Sequence, residues 1–192
     1  MADLVLASTS PYRRELLARL RLAFTCAPPG VDEGAVKRSG REPAAVVAEL
    51  ARQKATAVAA RFPDAIVIGG DQCACLDGAV LDKPGTVAAA IAQLQRLSGR
   101  SHELHTAVAI VHPAGLVAWT DVTRLTMRPL SDAEIERYVT AERPLDCAGS
   151  YKIEALGIAL FERIESADQS AIQGLPLLRL AAELRALGLS VP

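Results

Sequence analysis

The chain has almost no excess charge of either sign: 21 Lys and Arg stand against 22 Asp and Glu, leaving a formal net charge of -1 over 192 residues. A polymeric nucleic-acid partner ordinarily shows as a basic excess or a basic face, so none is expected. Long hydrophobic runs are also missing. The apolar run in "MADLVLASTS" is interrupted by Asp3, and no later segment approaches the ~18 apolar residues of a membrane span. A cytoplasmic chain without a membrane partner is the expectation. Cysteine is sparse, and Cys26, Cys73, Cys75 and Cys147, with no signal peptide before them, read as reduced thiols and not as a disulfide framework. "CAC" puts Cys73 and Cys75 on one face of a strand, but no CxxC or paired-histidine spacing supplies the further ligands of a zinc site. His102 and His105, three apart in a strand, fall on opposite faces and form no ligand pair. No internal repeat is evident.

What the sequence does contain is the composition of a soluble domain, 51% hydrophobic and 22% charged, in a length that supports one substantial core. Residues 1–192 are expected to form a single domain. Strand-like runs at Leu4–Ala7, Phe24–Ala27, Ala65–Gly69, Leu104–Val111, Leu116–Met127 and Ile158–Ile164 alternate with helical periodicities at Pro11–Leu22, Pro43–Phe62, Val87–Leu97, Asp132–Thr140 and Pro176–Leu187. That is an α/β pattern. The two long runs joined at "HPAG" read as a hairpin, so the sheet should be mixed and not wholly parallel.

Four places carry chemical interest. In "LASTSPYRREL", Ser10 and Pro11 mark a helix start. The hydroxyls of Ser8 and Ser10 before it, with Arg13 and Arg14 in the first turn, suit a phosphate; a capped surface helix with solvated arginines is the plainer alternative. In "VVAELARQKATAVAARF", Lys54 lies in the apolar row of Val47, Ala51, Val58 and Phe62, where its ammonium either snorkels to water or enters a cleft that holds an anion. In "AIVIGGDQ", a hydrophobic run ends in two glycines, with Asp71 and Gln72 just beyond, where open α/β sheets build their sites; a simple turn with a solvated aspartate is the other reading. "LDKPG" then sets Lys83 on a proline-stiffened loop. Cations at 13, 14, 54 and 83 around one carboxylate resemble a polyphosphate site.

Taken in order, "LASTSPYRRELL", "ELARQKA", "IGGDQ", "DKPG", "LSGR", "LSDAEIERYV", "CAGSYKIE" and "GLPL" resemble the motifs of the Maf family, over about Asp3 to Leu187. The resemblance implies a Maf/ITPase-like fold: one elongated α/β domain, a twisted mixed sheet flanked by helices, and a central cleft. It also implies a house-cleaning enzyme that hydrolyses a nucleoside triphosphate to the monophosphate and pyrophosphate with a divalent metal, Mg2+ or Mn2+. Carried over to this chain, Asp71 is the expected proton acceptor and Glu33 in "VDE" shares the metal with it. Lys54 and Lys83 are catalytic cations, and Ser8, Arg13 and Arg14 bind phosphate. The partner expected is a small nucleotide, and a homodimer is compatible with it.

Much of the family has arginine after the proline of "SPRR", threonine after the catalytic aspartate and "DKAGAYGIQG" later in the chain. Here those positions hold Tyr12, Gln72 and, in "DCAGSYKIEA", Cys147, Lys152 and Glu154. This combination resembles the branch acting on 7-methyl-GTP, with Tyr12, Gln72 and Glu154 as specificity residues. The arginine, threonine and glutamine version resembles the branch acting on dTTP and UTP. Methylation at N7 gives guanine a delocalised positive charge, for which Tyr12 offers a cation–π face worth ~0.5–2 kcal/mol and Glu154 a charge-assisted acceptor. The alternatives are a dTTP/UTP pyrophosphatase and, in a different class, a non-catalytic nucleotide-binding regulator of cell division.

Overall fold

The structure, a computed structural model, describes residues 3–191. Among the described residues, seven strands form one mixed sheet: β1 (Leu4–Ala7), β2 (Thr25–Cys26), β3 (Ile66–Leu76), β4 (Ala79–Leu81), β5 (Ser101–His112), β6 (Gly115–Met127) and β7 (Phe161–Glu165). The helices are α1 (Pro11–Ala18), α2 (Glu33–Lys37), α3 (Pro43–Ala59), α4 (Val87–Leu97), α5 (Asp132–Glu142), α6 (Gln169–Ile172) and α7 (Leu177–Ala186). The strand order is β2-β1-β3-β5-β6-β7, with β4 paired to β3. β1 runs parallel to β2 and β3, whereas β3–β4 and β6–β7 are antiparallel. The expected mixed α/β sheet is therefore present.

The chain folds into two compact units, the first made of residues 1–72, 106–121 and 168–192, the second of 73–105 and 122–167. In the first unit, strand alternation sorts the core into two layers. Leu4, Leu6, Ile66, Ile68, Val108 and Ile110 pack with Leu16 and Leu17 of α1 and Leu180 and Leu184 of α7. Val5, Ala7, Ala65 and Val67 face the other way, against Val58 of α3 and Ala27. In the second unit, α4 buries Ala90, Leu94 and Leu97, and α5 buries Ile135, Tyr138 and Val139. α5 starts on a reciprocal capping box between Ser131 and Glu134.

Several boundaries depart from the expected ones, for local reasons. α1 stops at Ala18 because Arg21 takes a left-handed φ of 54°. α3 stops at Ala59, so Phe62, read as part of its buried row, is exposed. β3 continues well past Gly69 to Leu76, and the glycines lie inside it instead of ending it. Leu76 and Ala79 pair across a two-residue Asp77–Gly78 turn with φ of 51° and 78°, the geometry a tight hairpin needs, which creates the unexpected β4. Residues Leu156–Leu160 form a 3-10 turn, delaying β7 to Phe161. The four cysteines are thiols.

Candidate functional site

The first unit assembles most of the residues singled out above. Asp71 sits in β3 on the same side as Val67 and Gly69, the side covered by α3. Gly69 is what lets α3 come so near: a Cβ there would stand 2.6 Å from the Ala55 backbone nitrogen. From that helix, Lys54 reaches across and donates to Asp71 Oδ1 at 2.7 Å, both side chains being buried. Its ammonium is also 2.7 Å from Glu33 Oε1, at the start of α2. Lys54 therefore neither snorkels to water nor waits unpaired; it bridges two carboxylates. Glu33 is half-buried, which by itself raises its carboxyl pKa, but hydrogen bonding and attraction from Lys54, and then Lys37 at 3.4 Å, outweigh burial and hold it below the usual carboxylate range.

The opposite side of β3 carries Gly70 and Gln72. Gly70 leaves room for the Arg13 side chain, whose Nε would lie 3.3 Å from an added Cβ. Arg13 Nε donates to the Gly174 carbonyl at 3.1 Å. Burial lowers its pKa, partly offset by the attraction of Asp71 and Glu33, and the guanidinium remains charged. Arg14, by contrast, is exposed on α1. Ser8 is buried and accepts from the Ser10 backbone N–H at 3.1 Å, while Ser10 Oγ accepts from Arg13 N–H at 3.4 Å and caps α1. Tyr12 is half-buried on the same helix.

Gln72 is engaged. Its Nε2 donates to Thr106 Oγ1 at 2.8 Å, to the Ala171 carbonyl at 2.9 Å and to the Ile172 carbonyl at 3.1 Å, while Thr106 Oγ1 donates to the Ala171 carbonyl. The amide that resemblance assigned to base recognition thus ties β3 to α6, two residues before the carbonyl that holds Arg13. Thr106 and α6 escaped the sequence reading; the "GLPL" motif pointed to that segment without showing its use. Asp168 secures it by accepting from the N–H groups of Ser170 at 2.9 Å and Leu178 at 2.7 Å.

Lys83, Lys152 and Glu154 belong to the second unit. Lys83 is exposed on the loop after β4, and Glu154 is exposed on a turn closed by the Ala155 N–H on the Lys152 carbonyl at 3.2 Å. That turn is drawn tight at Gly157, where a Cβ would stand 2.3 Å from the Lys152 carbonyl oxygen. Lys152 Nζ donates to the Glu142 carbonyl at 3.1 Å, which sets its charge at the carboxyl end of α5. His102 is buried against Tyr151, its Nε2 2.9 Å from the tyrosine oxygen, and burial lowers its pKa to about 4.

Could these residues hold a divalent cation? Glu33 and Asp71 present two carboxylate oxygens to one positive charge at 2.7 Å each, the hard-oxygen donors that magnesium or manganese takes. Among the described residues no group of three His, Cys, Asp or Glu is placed to hold a metal. Two carboxylates with substrate phosphates completing the shell is the usual arrangement for magnesium, so the donor set fits.

The fold of this chain is shared with Ham1 proteins of solved structure. The HAM1 protein of Coxiella burnetii superimposes with a TM-score of 0.55 at 18% identity, covering 97% of this chain and all of that one. The Staphylococcus aureus Ham1 protein does so with 0.54 at 14%, covering 95% and 99%. At those identities the likeness concerns the fold alone. The sequence places the chain more narrowly: the Maf-like protein family model matches residues 3–187, and the chain belongs to the Maf family. It is 53% identical over 193 residues, covering both chains fully, to the 7-methyl-GTP pyrophosphatase of Xanthomonas campestris pv. campestris strain 8004. It is 54% identical to that of Aromatoleum aromaticum, over all of this chain and 98% of the relative, and 46% identical to that of Pseudomonas aeruginosa over the full length of both.

Proposed function

We propose that this chain is a nucleoside triphosphate pyrophosphatase that hydrolyses 7-methyl-GTP to 7-methyl-GMP and diphosphate. The observation that carries the reading is the Glu33–Lys54–Asp71 cluster in a chain about half identical, end to end, to proteins bearing that name. In the reaction, a water oxygen bonds to the α-phosphorus while the bond from that phosphorus to the bridging oxygen breaks. The proton released by the water goes to Asp71, whose Oδ2 is not engaged by Lys54. Lys54 orients the carboxylate and meets charge gathering on the phosphates. Arg13, Arg14 and Lys83 neutralise the triphosphate, the arginines through their N–H groups, and the Ser8 hydroxyl hydrogen-bonds it. Glu33 and Asp71 would hold the divalent cation, which when bound draws charge from phosphate oxygens.

Specificity is assigned to Tyr12 and Glu154 on the chemistry of the methylated base: an aromatic face and a carboxylate favour a cationic ring, where arginine and a neutral amide do not. Gln72 contributes by holding α6. A small nucleotide is the only partner the reading requires, whether the chain works singly or as a homodimer, and the cytoplasm is where such a nucleotide is met.

The test is pyrophosphate release from 7-methyl-GTP, GTP, UTP and dTTP with Mg2+ or Mn2+. Preference for the methylated nucleotide, with turnover falling on the order of 10²–10⁴-fold in Asp71→Asn, is the expected result. Preference for UTP and dTTP would move the chain to the other branch, and tight binding without turnover would make it a regulator.

A further inference from the structure

Gln93, on α4, belongs to no motif singled out above, yet its amide joins two loops of the second unit. Its Nε2 donates to the Asp82 carbonyl at 2.8 Å, and its Oε1 accepts from Ser150 Oγ at 2.6 Å. The orientation follows from the partners, because a carbonyl oxygen only accepts and so must face the NH2 end. Asp82 is the residue before Lys83. Ser150 is fully buried, at a left-handed φ of 63°, in the segment that leads to Lys152 and Glu154. A second tie runs in parallel, from the Gly85 N–H to the Leu145 carbonyl at 3.0 Å. α4 itself is fixed by its buried Ala90, Leu94 and Leu97 and does not need Gln93 to pack.

A non-glycine residue at positive φ persists only where its surroundings hold it. Here the Gln93 amide is the group that engages the Ser150 side chain. We propose that Gln93 is a positioning residue for hydrolysis: it fixes the Lys83 loop and the Glu154 loop to one another, so that the lysine and the base-reading carboxylate are presented together. This rests on the roles given above to Lys83 and Glu154.

The experiment compares the parent chain with Gln93→Leu, Gln93→Glu and Ser150→Gly in three measurements: melting temperature, kcat and KM on 7-methyl-GTP and GTP, and backbone hydrogen exchange. Gln93→Leu removes both bonds, and a misplacement of about an ångström costs on the order of 10- to 100-fold in kcat/KM. Melting should fall by a few degrees as the buried Ser150 hydroxyl loses its acceptor, while exchange rises together at residues 82, 83, 85 and 86 and at 147–152. Gln93→Glu keeps an acceptor for Ser150 but sets a carboxylate against the Asp82 carbonyl, so kcat falls while the 7-methyl-GTP to GTP ratio is kept. Ser150→Gly relieves the backbone strain, so the fold holds or gains stability while that ratio narrows. A purely structural glutamine predicts the opposite for Ser150→Gly, namely a stable protein with parental selectivity. Parental kinetics and parental exchange in Gln93→Leu overturn the proposal. Failure of the underlying reading would show separately, as a parent chain that releases no pyrophosphate while exchange still reports the tie.

Discussion

A Cβ placed on Gly69 would lie 2.4 Å from the carbonyl oxygen of Ala51, one turn before Lys54 on α3. The helix backbone touches the strand backbone at this point, and that contact sets how far the Lys54 side chain must reach. Gly69→Ala therefore has to push α3 outward, because backbone atoms cannot step aside as a side-chain tip can. The expected loss is about 1–3 kcal/mol in urea unfolding, with turnover falling further as Lys54 withdraws from Asp71. Gly70→Ala is the control: its Cβ would meet the Arg13 side chain at 3.3 Å, and it should cost less than half as much.

Lys54→Met should destabilise the fold at neutral pH, by about 3 kcal/mol, because it leaves the buried Asp71 carboxylate without its cation. The double variant Lys54→Met/Asp71→Leu should recover most of that loss while staying inactive. Equilibrium unfolding of the two variants checks the pair, and a double variant no more stable than the single one would mean that the apolar surroundings do not accept an uncharged pair.

Gln72→Leu keeps the size of the side chain and removes its three donated bonds to Thr106, Ala171 and Ile172. The Ile172 carbonyl and the Thr106 hydroxyl lose a donor, at about 1–3 kcal/mol, while the Ala171 carbonyl keeps those of Thr106 Oγ1 and the Gly174 N–H. Hydrogen exchange should quicken across residues 169–174, and KM should rise more than kcat falls, since Arg13 hangs on the Gly174 carbonyl at the end of that segment.

His102 makes stability depend on pH in a window set by its own burial. The unfolded imidazole takes a proton near 6.5, whereas in the fold it does so only at about 4. Its contribution is fully present above 6.5 and is lost as pH falls from there toward 4, the unfolded state binding the proton more readily. The linkage is on the order of 3 kcal/mol. His102→Gln should flatten the stability-against-pH curve between pH 6.5 and 4 relative to the parent, as measured by urea titration.

How much of this was visible beforehand differs from element to element. β1 and α4 could be bounded to the residue, because an apolar run or an amphipathic row ends at a polar cap in each: Ser8 after β1, Thr86 before α4. In the sequence the two glycines of "GGDQ" end the hydrophobic run, and Asp71 and Gln72 fall just beyond it. In the fold the glycines stay in β3, since α3 covers the first and Arg13 occupies the space over the second, contacts made by residues 14 or more positions away. The buried Lys54 was legible as an anomaly in an apolar row and Asp71 as a carboxylate for it, but Glu33 was indicated only by the family resemblance, because it comes from a short helix with no apolar periodicity of its own. Gln72 and Gln93 were the hardest to read. Each works through backbone carbonyls, and a carbonyl acceptor leaves no trace in residue type.

The alternation along β3 constrains how this chain can change length. Odd positions from Val67 through Gly69 to Asp71 serve α3 and Lys54, while even positions from Ile68 through Gly70 to Gln72 serve Arg13 and α6. Deleting one residue between Ile66 and Ile68 would leave a strand just as hydrophobic, yet it would turn the aspartate toward α6 and the glutamine toward the lysine. Point substitutions there can be graded in severity, but insertions and deletions of odd length cannot. Gaps in that stretch should therefore be missing from every active version of this enzyme, or come in pairs.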